Sequence, residues 1–176
     1  MGLKENNEIT VKIKYNLDEL YNILEKKDFK IVDKFSMDDA YFVPNEIDLD
    51  KTNSREILMQ AVLVRDITGK ISNRRTKKMT FKIKNFDEYG NILSQSAVNC
   101  DILNTDDAKK LLNAIGYQEI MNIKENDIVY EKDGLQLAIK DIENGDNLIE
   151  IETDEKYDTI DKLKMKLKEF KIPVDE

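Results

Sequence analysis

The feature that most constrains this chain is a two-residue alternation that places charge on one face of strand after strand. Glu8-Ile-Thr-Val-Lys-Ile-Lys14 sets Ile9, Val11 and Ile13 against polar neighbours, and Thr80-Phe-Lys-Ile-Lys84 follows the same rule. So do Leu135-Gln-Leu-Ala-Ile-Lys140 and Leu148-Ile-Glu-Ile-Glu152. Successive side chains of a strand point to opposite faces, so each segment has one apolar and one polar side. Further strands are predicted around residues 30–33, 39–43, 57–65, 92–102 and 127–131, which makes eight or nine in hairpin-like succession. That pattern predicts an antiparallel α+β fold, with a sheet large enough to be a candidate for closure into a β-barrel.

Three segments predict flanking helices. Residues 17–27 place Leu17, Leu20, Tyr21 and Leu24 at helical spacing behind a capping Asn16. A second helix starts at Thr105, read as its cap, has Asp106 and Asp107 in the first turn, and stops at Gly116. A third begins near Thr159, carries Ile160, Leu163, Leu167 and Phe170, and is closed by Pro173. The charged strand faces allow two readings. Either they meet solvent over a single core, or they line a wet lumen while the apolar faces pack outward on the helices. Glu8, Lys12, Arg65, Lys82, Lys140, Glu150 and Glu152 recur where a merely solvated face would mix in Thr, Ser, Gln and Asn, and this tilts the balance toward the lumen.

Composition narrows the function. There are 36 acidic and 28 basic residues, a net charge of −8, which argues against bulk binding of nucleic acid or an anionic membrane. The absence of histidine excludes Ser-His-Asp and Cys-His nucleophile systems and any imidazole metal site. The lone Cys100 forms neither an internal disulfide nor a structural zinc site, and its expected role is that of a small apolar residue. The segment MGLKENNEIT lacks the apolar region of a secretory signal, and the run from Ile57 to Val64 is too short to span a bilayer. With six Gly, two Pro and no repeat or linker tract, the expectation is one continuous domain over residues 1–176, soluble and cytoplasmic.

The motifs, taken in order, resemble the CYTH superfamily, the triphosphate tunnel metalloenzymes. Glu8-Ile-Thr-Val-Lys12 is similar to its Glu-x-Glu-x-Lys first strand, and Asp39-Ala-Tyr-Phe42 to its Asp-x-Tyr-Phe strand. Leu63-Val-Arg65 resembles Leu-Arg-x-Arg with one arginine kept, and Met79-Thr-Phe-Lys82 resembles Leu-Thr-x-Lys. A Leu-Leu…Ile-Gly helix end, Lys124, Tyr130 and a Gly-Leu-x-Leu strand follow, and Glu150-Ile-Glu152 matches the late Glu-x-Glu. The resemblance implies an eight-stranded antiparallel tunnel that binds a nucleoside or inorganic triphosphate with Mg²⁺ or Mn²⁺. Its members include class IV adenylate cyclases and triphosphatases, and relatives of the cyclase type imply a homodimer. By position, Glu8, Glu150 and Glu152 are the metal-side candidates, and Lys12, Arg65, Lys82 and Lys124 the phosphate-side ones. Such a site works by electrostatics and in-line attack, which needs no histidine.

The departures are equally specific. Thr10 replaces the second glutamate of the first motif, and Lys140 stands where the family has an aspartate, with Asp141 available after a one-residue slip. Ser94-Gln-Ser-Ala-Val-Asn99 offers neither the arginine nor the glutamates of an Arg-x-Glu-x-Glu strand, and Lys124-Glu-Asn126 loses the arginine of Lys-x-Arg. Either the tunnel takes a different substrate, or the chain is a non-catalytic module of the same fold that binds anions or a partner; no catalytic residue is assigned. Residues 65–84 also concentrate eight basic residues against one acidic, read either as an exposed hairpin or as a collector of polyanions.

Overall fold

The computed structural model describes residues 8–13, 15–90, 92–152 and 158–172, with the side chains of Glu8, Ile9 and Ile92 left out. The elements run β1 (Glu8–Lys12), α1 (Leu17–Lys26), β2 (Lys30–Pro44), α2 (Ser54–Met59), β3 (Val62–Gly69), β4 (Arg75–Phe86) and β5 (Ile92–Asp101). They continue with α3 (Thr105–Ala114), β6 (Tyr117–Lys132), β7 (Leu135–Ile142), β8 (Asn147–Glu152) and α4 (Ile160–Glu169). The fold is α+β. The eight strands hydrogen-bond in the order β1-β8-β7-β6-β2-β3-β4-β5, and the pairs β1–β8, β7–β8, β6–β7, β3–β4 and β4–β5 are antiparallel. Among the described residues no helix is long and apolar enough to cross a membrane.

The chain forms two compact units. The first is built from Met37–Thr68 and Asn73–Lys124, the second from the described parts of Asn6–Ser36, Gly69–Ser72 and Glu125–Glu176. In the second unit the apolar strand faces supply Ile149 and Ile151 from β8, Leu137 and Ile139 from β7, and Tyr130 from β6. These pack on Leu20 and Leu24 of α1 and on Leu163 and Leu167 of α4. The first unit does the same with fewer residues, as Phe42 and Val64 pack on Ala108 and Leu112 of α3. In the second unit the helices cover the apolar strand face and the charged face lies on the other side, whereas in the first the helix covers Phe42 and Val64 and leaves Ile83 of β4 and Val98 of β5 exposed.

The helix ends follow local chemistry. Asn16 Oδ1 accepts from Asp18 N at 2.8 Å, and Thr159 Oγ1 accepts from Lys162 N at 3.3 Å, as expected. For α3 the cap is Asn104, one residue before the Thr105 expected from the sequence, and its side chain accepts from both Asp106 N and Asp107 N. Gly116, at φ 97°, ends that helix in the left-handed conformation glycine adopts without strain. The β6–β7 hairpin closes in two residues, Asp133 (φ 53°) and Gly134 (φ 81°), the backbone signature of a type I′ turn.

Three expectations are corrected. The apolar run 57–65 is not one strand: residues 54–59 form α2 behind an Asn53 cap, and β3 starts at Val62. A continuous apolar run carries no period by which helix and strand are told apart. The segments around 30–33 and 39–43 are a single 15-residue strand, β2. The strand expected at 127–131 is the end of the 16-residue β6, which begins directly after α3.

Ile139 is fully buried between its strand neighbours and the helices. Ile139→Ala is expected to lower unfolding stability by about 2–5 kcal/mol in urea titration. Met165→Ala, at 69% exposure on α4, should change it by less than about 0.5 kcal/mol.

Candidate functional site

In the first unit, antiparallel register stacks charge across three strands. Arg65 on β3 lies opposite Lys78 on β4, which lies opposite Asp101 on β5. Two-residue periodicity puts Thr80 and Lys82 on the same face as Lys78. Arg65 is fixed by Asp39 of β2, with Nε donating to Oδ1 at 2.7 Å and Nη2 donating to Oδ2 at 2.6 Å. The pair is mostly desolvated, with side-chain exposures of 16% and 5%, and its two parallel bonds fix the guanidinium plane. Asn122 of β6 secures the same edge of β2, donating to Asp38 Oδ1 at 2.6 Å and to the Asp39 carbonyl at 3.1 Å.

Lys78 and Lys82 are half-buried, and among the described residues neither ammonium has a hydrogen-bond or ion-pair partner. Burial and the neighbouring Arg65 hold Lys78 below the usual lysine range, with Lys82 adding to the effect and Asp101 and Asp39 opposing it. Lys82 lies opposite the uncharged Ala97, Thr80 spends its hydroxyl on Asn99 Oδ1 at 2.8 Å, and Asp101, opposite Lys78, acts on it through space without forming an ion pair. Gln95, opposite Lys84, is buried, and its Oε1 has no partner among the described residues. Of the phosphate-side candidates, Arg65 and Lys82 therefore share one face, joined by Lys78. Lys124 is exposed and, by strand alternation, lies on the face opposite Glu125. The basic stretch 65–84 is not one patch. Alternation sends Arg75 and Lys77 to the opposite face from Lys78 and Lys82, and Arg75 is held bidentately by Asp66 at 3.0 and 2.6 Å.

The second unit carries a different cluster on its charged face. Lys140 of β7 lies opposite Asp127 of β6. Its Nζ is 2.8 Å from Glu125 Oε1, 3.4 Å from Asp127 Oδ2 and 3.7 Å from Glu150 Oε2. Lys140, Glu125 and Asp127 are all buried, so this is not a solvated strand face. Asp127 is 2% exposed, and its Oδ1 has no hydrogen-bond partner among the described residues. Burial pushes the Asp127 carboxyl up to about 7, with Glu125 and Glu150 raising it further and Lys140 pulling it down. Burial alone would lower Lys140, but Glu150, Asp127 and Glu125 outweigh it and the ammonium is raised.

The metal-side candidates are placed as follows. Glu150 belongs to the Lys140 cluster and lies opposite Thr10 and Ala138. Glu152 is exposed and pairs in register with Glu8, whose side chain is outside the described residues. Lys12 is exposed and bonded to Asp146 at 2.6 Å. The slip that would bring Asp141 in for Lys140 does not occur: β6 and β7 pair without interruption, and Asp141 sits opposite Asn126 and Asn147. Among the described residues no group of three or more acidic or Cys side chains is arranged to hold a metal ion. The carboxylates that do converge are centred on an ammonium, so a resident divalent ion does not fit them as they stand. Asp39, Lys78, Glu125 and Asp127 were not singled out as site residues from sequence. Their signal was the two-residue spacing of Lys78-x-Thr80-x-Lys82 and Glu125-x-Asp127.

Asp39→Ala leaves Arg65 without its carboxylate and is expected to cost about 3 kcal/mol in denaturant titration. Because folding raises the Asp127 pKa, its contribution is full below the ordinary value of 3.8 and is lost as pH climbs through about 7. Asp127→Asn removes that loss. The stability difference between variant and wild type, followed by thermal melts, should therefore shift in favour of the variant between those two pH values. A difference constant with pH would show that Asp127 stays ionised throughout.

No family model and no curated protein matches the sequence. Solved structures do. A Pyrococcus horikoshii protein is 20% identical over 97% of this chain and 93% of its own, with a TM-score of 0.70. A Vibrio parahaemolyticus protein proposed to be an adenylate cyclase is 12% identical over 99% of this chain and 95% of its own, with a TM-score of 0.61. A chain of the Schizosaccharomyces pombe Mediator head module is 9% identical over 97% and 98%, with a TM-score of 0.65. At these identities the likeness establishes architecture alone, and together with the strand order it shows that the chain has a CYTH-like fold.

Proposed function

We propose that this protein binds a triphosphate-bearing anion, nucleoside or inorganic, on the Arg65–Lys78–Lys82 face of its first unit. The observation that carries this reading is the pair of half-buried ammonium groups, Lys78 and Lys82, that have no acceptor among the described residues and stand beside an arginine already fixed by Asp39. Partial burial of an ammonium without a hydrogen-bond acceptor is unfavourable, and an incoming phosphate oxygen relieves it. A triphosphate spreads its charge along a chain of oxygens, which suits cations set four residues apart on one face of a strand. Arg65 contributes its fixed positive charge, and the lysines act as movable point charges. Anion binding also restores Lys78 toward the usual lysine range, so affinity should fall as pH rises into that range.

The structural relative proposed to be an adenylate cyclase supports a nucleotide triphosphate as one ligand of this class, since cyclases of that kind act on ATP. Cleavage is a separate matter. The uncharged β5 residues opposite Thr80 and Lys82 and the lysine-centred carboxylates favour a module that holds the anion intact, without turnover.

Titration calorimetry with inorganic triphosphate and with ATP tests the proposal. Lys78→Ala and Lys82→Ala should each weaken binding about 10- to 150-fold, while Lys124→Ala should leave it unchanged. Equal effects from all three would point to unspecific charge attraction and sink the assigned face. A ³¹P NMR time course on the same samples should show shifted triphosphate lines and no product; pyrophosphate with cyclic AMP, or orthophosphate, would establish cleavage instead.

A further inference from the structure

Burying three carboxylates near one another is unfavourable unless a cation stands among them. In the second unit that cation is part of the chain. Glu125 and Asp127 approach from β6, Glu150 from β8, and Lys140 stands on the strand between, its Nζ 2.8, 3.4 and 3.7 Å from one oxygen of each. The ammonium donates to Glu125 and Asp127 and stands within ion-pair distance of Glu150. At 9% exposure Lys140 is far from the usual solvated lysine, so its placement is specific. One acceptor remains over: Asp127 Oδ1, buried and without a partner among the described residues. Carboxylate oxygens converging with one coordination position unfilled are the donor set that hard divalent cations take.

We propose that Lys140 is a resident cation that takes the part of a divalent metal at this cluster, so that the acidic face is assembled without metal and becomes a divalent-cation site only when the lysine's charge is removed. The proposal does not rest on the triphosphate reading, which concerns other residues in the other unit. It gives the charge reversal at position 140 a positive role: the lysine supplies internally the charge that the cluster would otherwise draw from solution.

The test uses Mn²⁺ alone as probe, with the full chain, and counts bound ion by electron paramagnetic resonance. Wild type should take up no Mn²⁺ that depends on Glu150. Lys140→Gln should bind one Mn²⁺ per chain at least about tenfold more tightly than wild type, since affinity for such ions follows the charge and number of oxygen ligands. Adding Glu150→Gln to that variant should remove the gain. Should Lys140→Gln not fold alone, the Lys140→Gln/Asp127→Asn variant, in which one positive and one negative side chain are removed together, keeps Glu125 and Glu150 and is expected to show a smaller gain that Glu150→Gln again removes. Two results would overturn the proposal: wild-type Mn²⁺ binding that Glu150→Gln weakens, or a folded Lys140 variant with no gain in Mn²⁺ affinity.

Discussion

Covering one strand face with helices obliges the other face to balance its own charge. Ile139, Ile149 and Ile151 are committed to α1 and α4, so the residues between them on the same strands emerge on the opposite side of the sheet. There the protein places Lys140 and Glu150, and the neighbouring β6 adds Glu125 and Asp127. A buried face of this kind tolerates charge only where opposite charges meet, and around Lys140 they do. The packing of the helices and the electrostatics of the charged face are thus two results of one alternation.

The two units settle the same problem differently. In the second, a lysine of the chain stands among the acidic groups and offsets part of their charge. In the first, Arg65 is balanced by Asp39, whereas Lys82 lies opposite Ala97 and Lys78 faces Asp101 without an ion pair. The lack of an acid opposite Lys82 leaves that cation without a counter-charge facing it on the neighbouring strand. A strand whose side chains are neutral can in this way decide whether its neighbour forms a salt bridge or waits for an anion.

Much of this was legible in the sequence, and the exceptions have physical reasons. Alternation fixed the faces of β1, β4, β7 and β8, and Asn16 and Thr159 marked the starts of their helices. The run from Ile57 to Val64 was opaque because it has no period, and a short helix and a strand both fit it. At the candidate site the spacing put Arg65 and Lys82 on a common face and drew attention to Lys140. What it did not give were cross-strand partners. That Asp39 holds Arg65, that Asp127 faces Lys140, and that Ala97 rather than a carboxylate faces Lys82 are facts of register between strands. Register is set by turns and long-range packing, not by the pattern of one segment.

The hairpin joining β6 to β7 shows how far that dependence reaches. Asp133 and Gly134 close it in two residues, both at positive φ, and every pair from Lys132–Leu135 back to Asp127–Lys140 is counted from that turn. The turn therefore acts as a gauge for chemistry several residue pairs away. Slippage by one position would turn Lys140 toward the helices and Ile139 toward the carboxylates, exchanging a buried salt bridge for a buried charge and an apolar side chain among acids. The length of this turn is thus under constraint, since it keeps a lysine and an aspartate opposite one another.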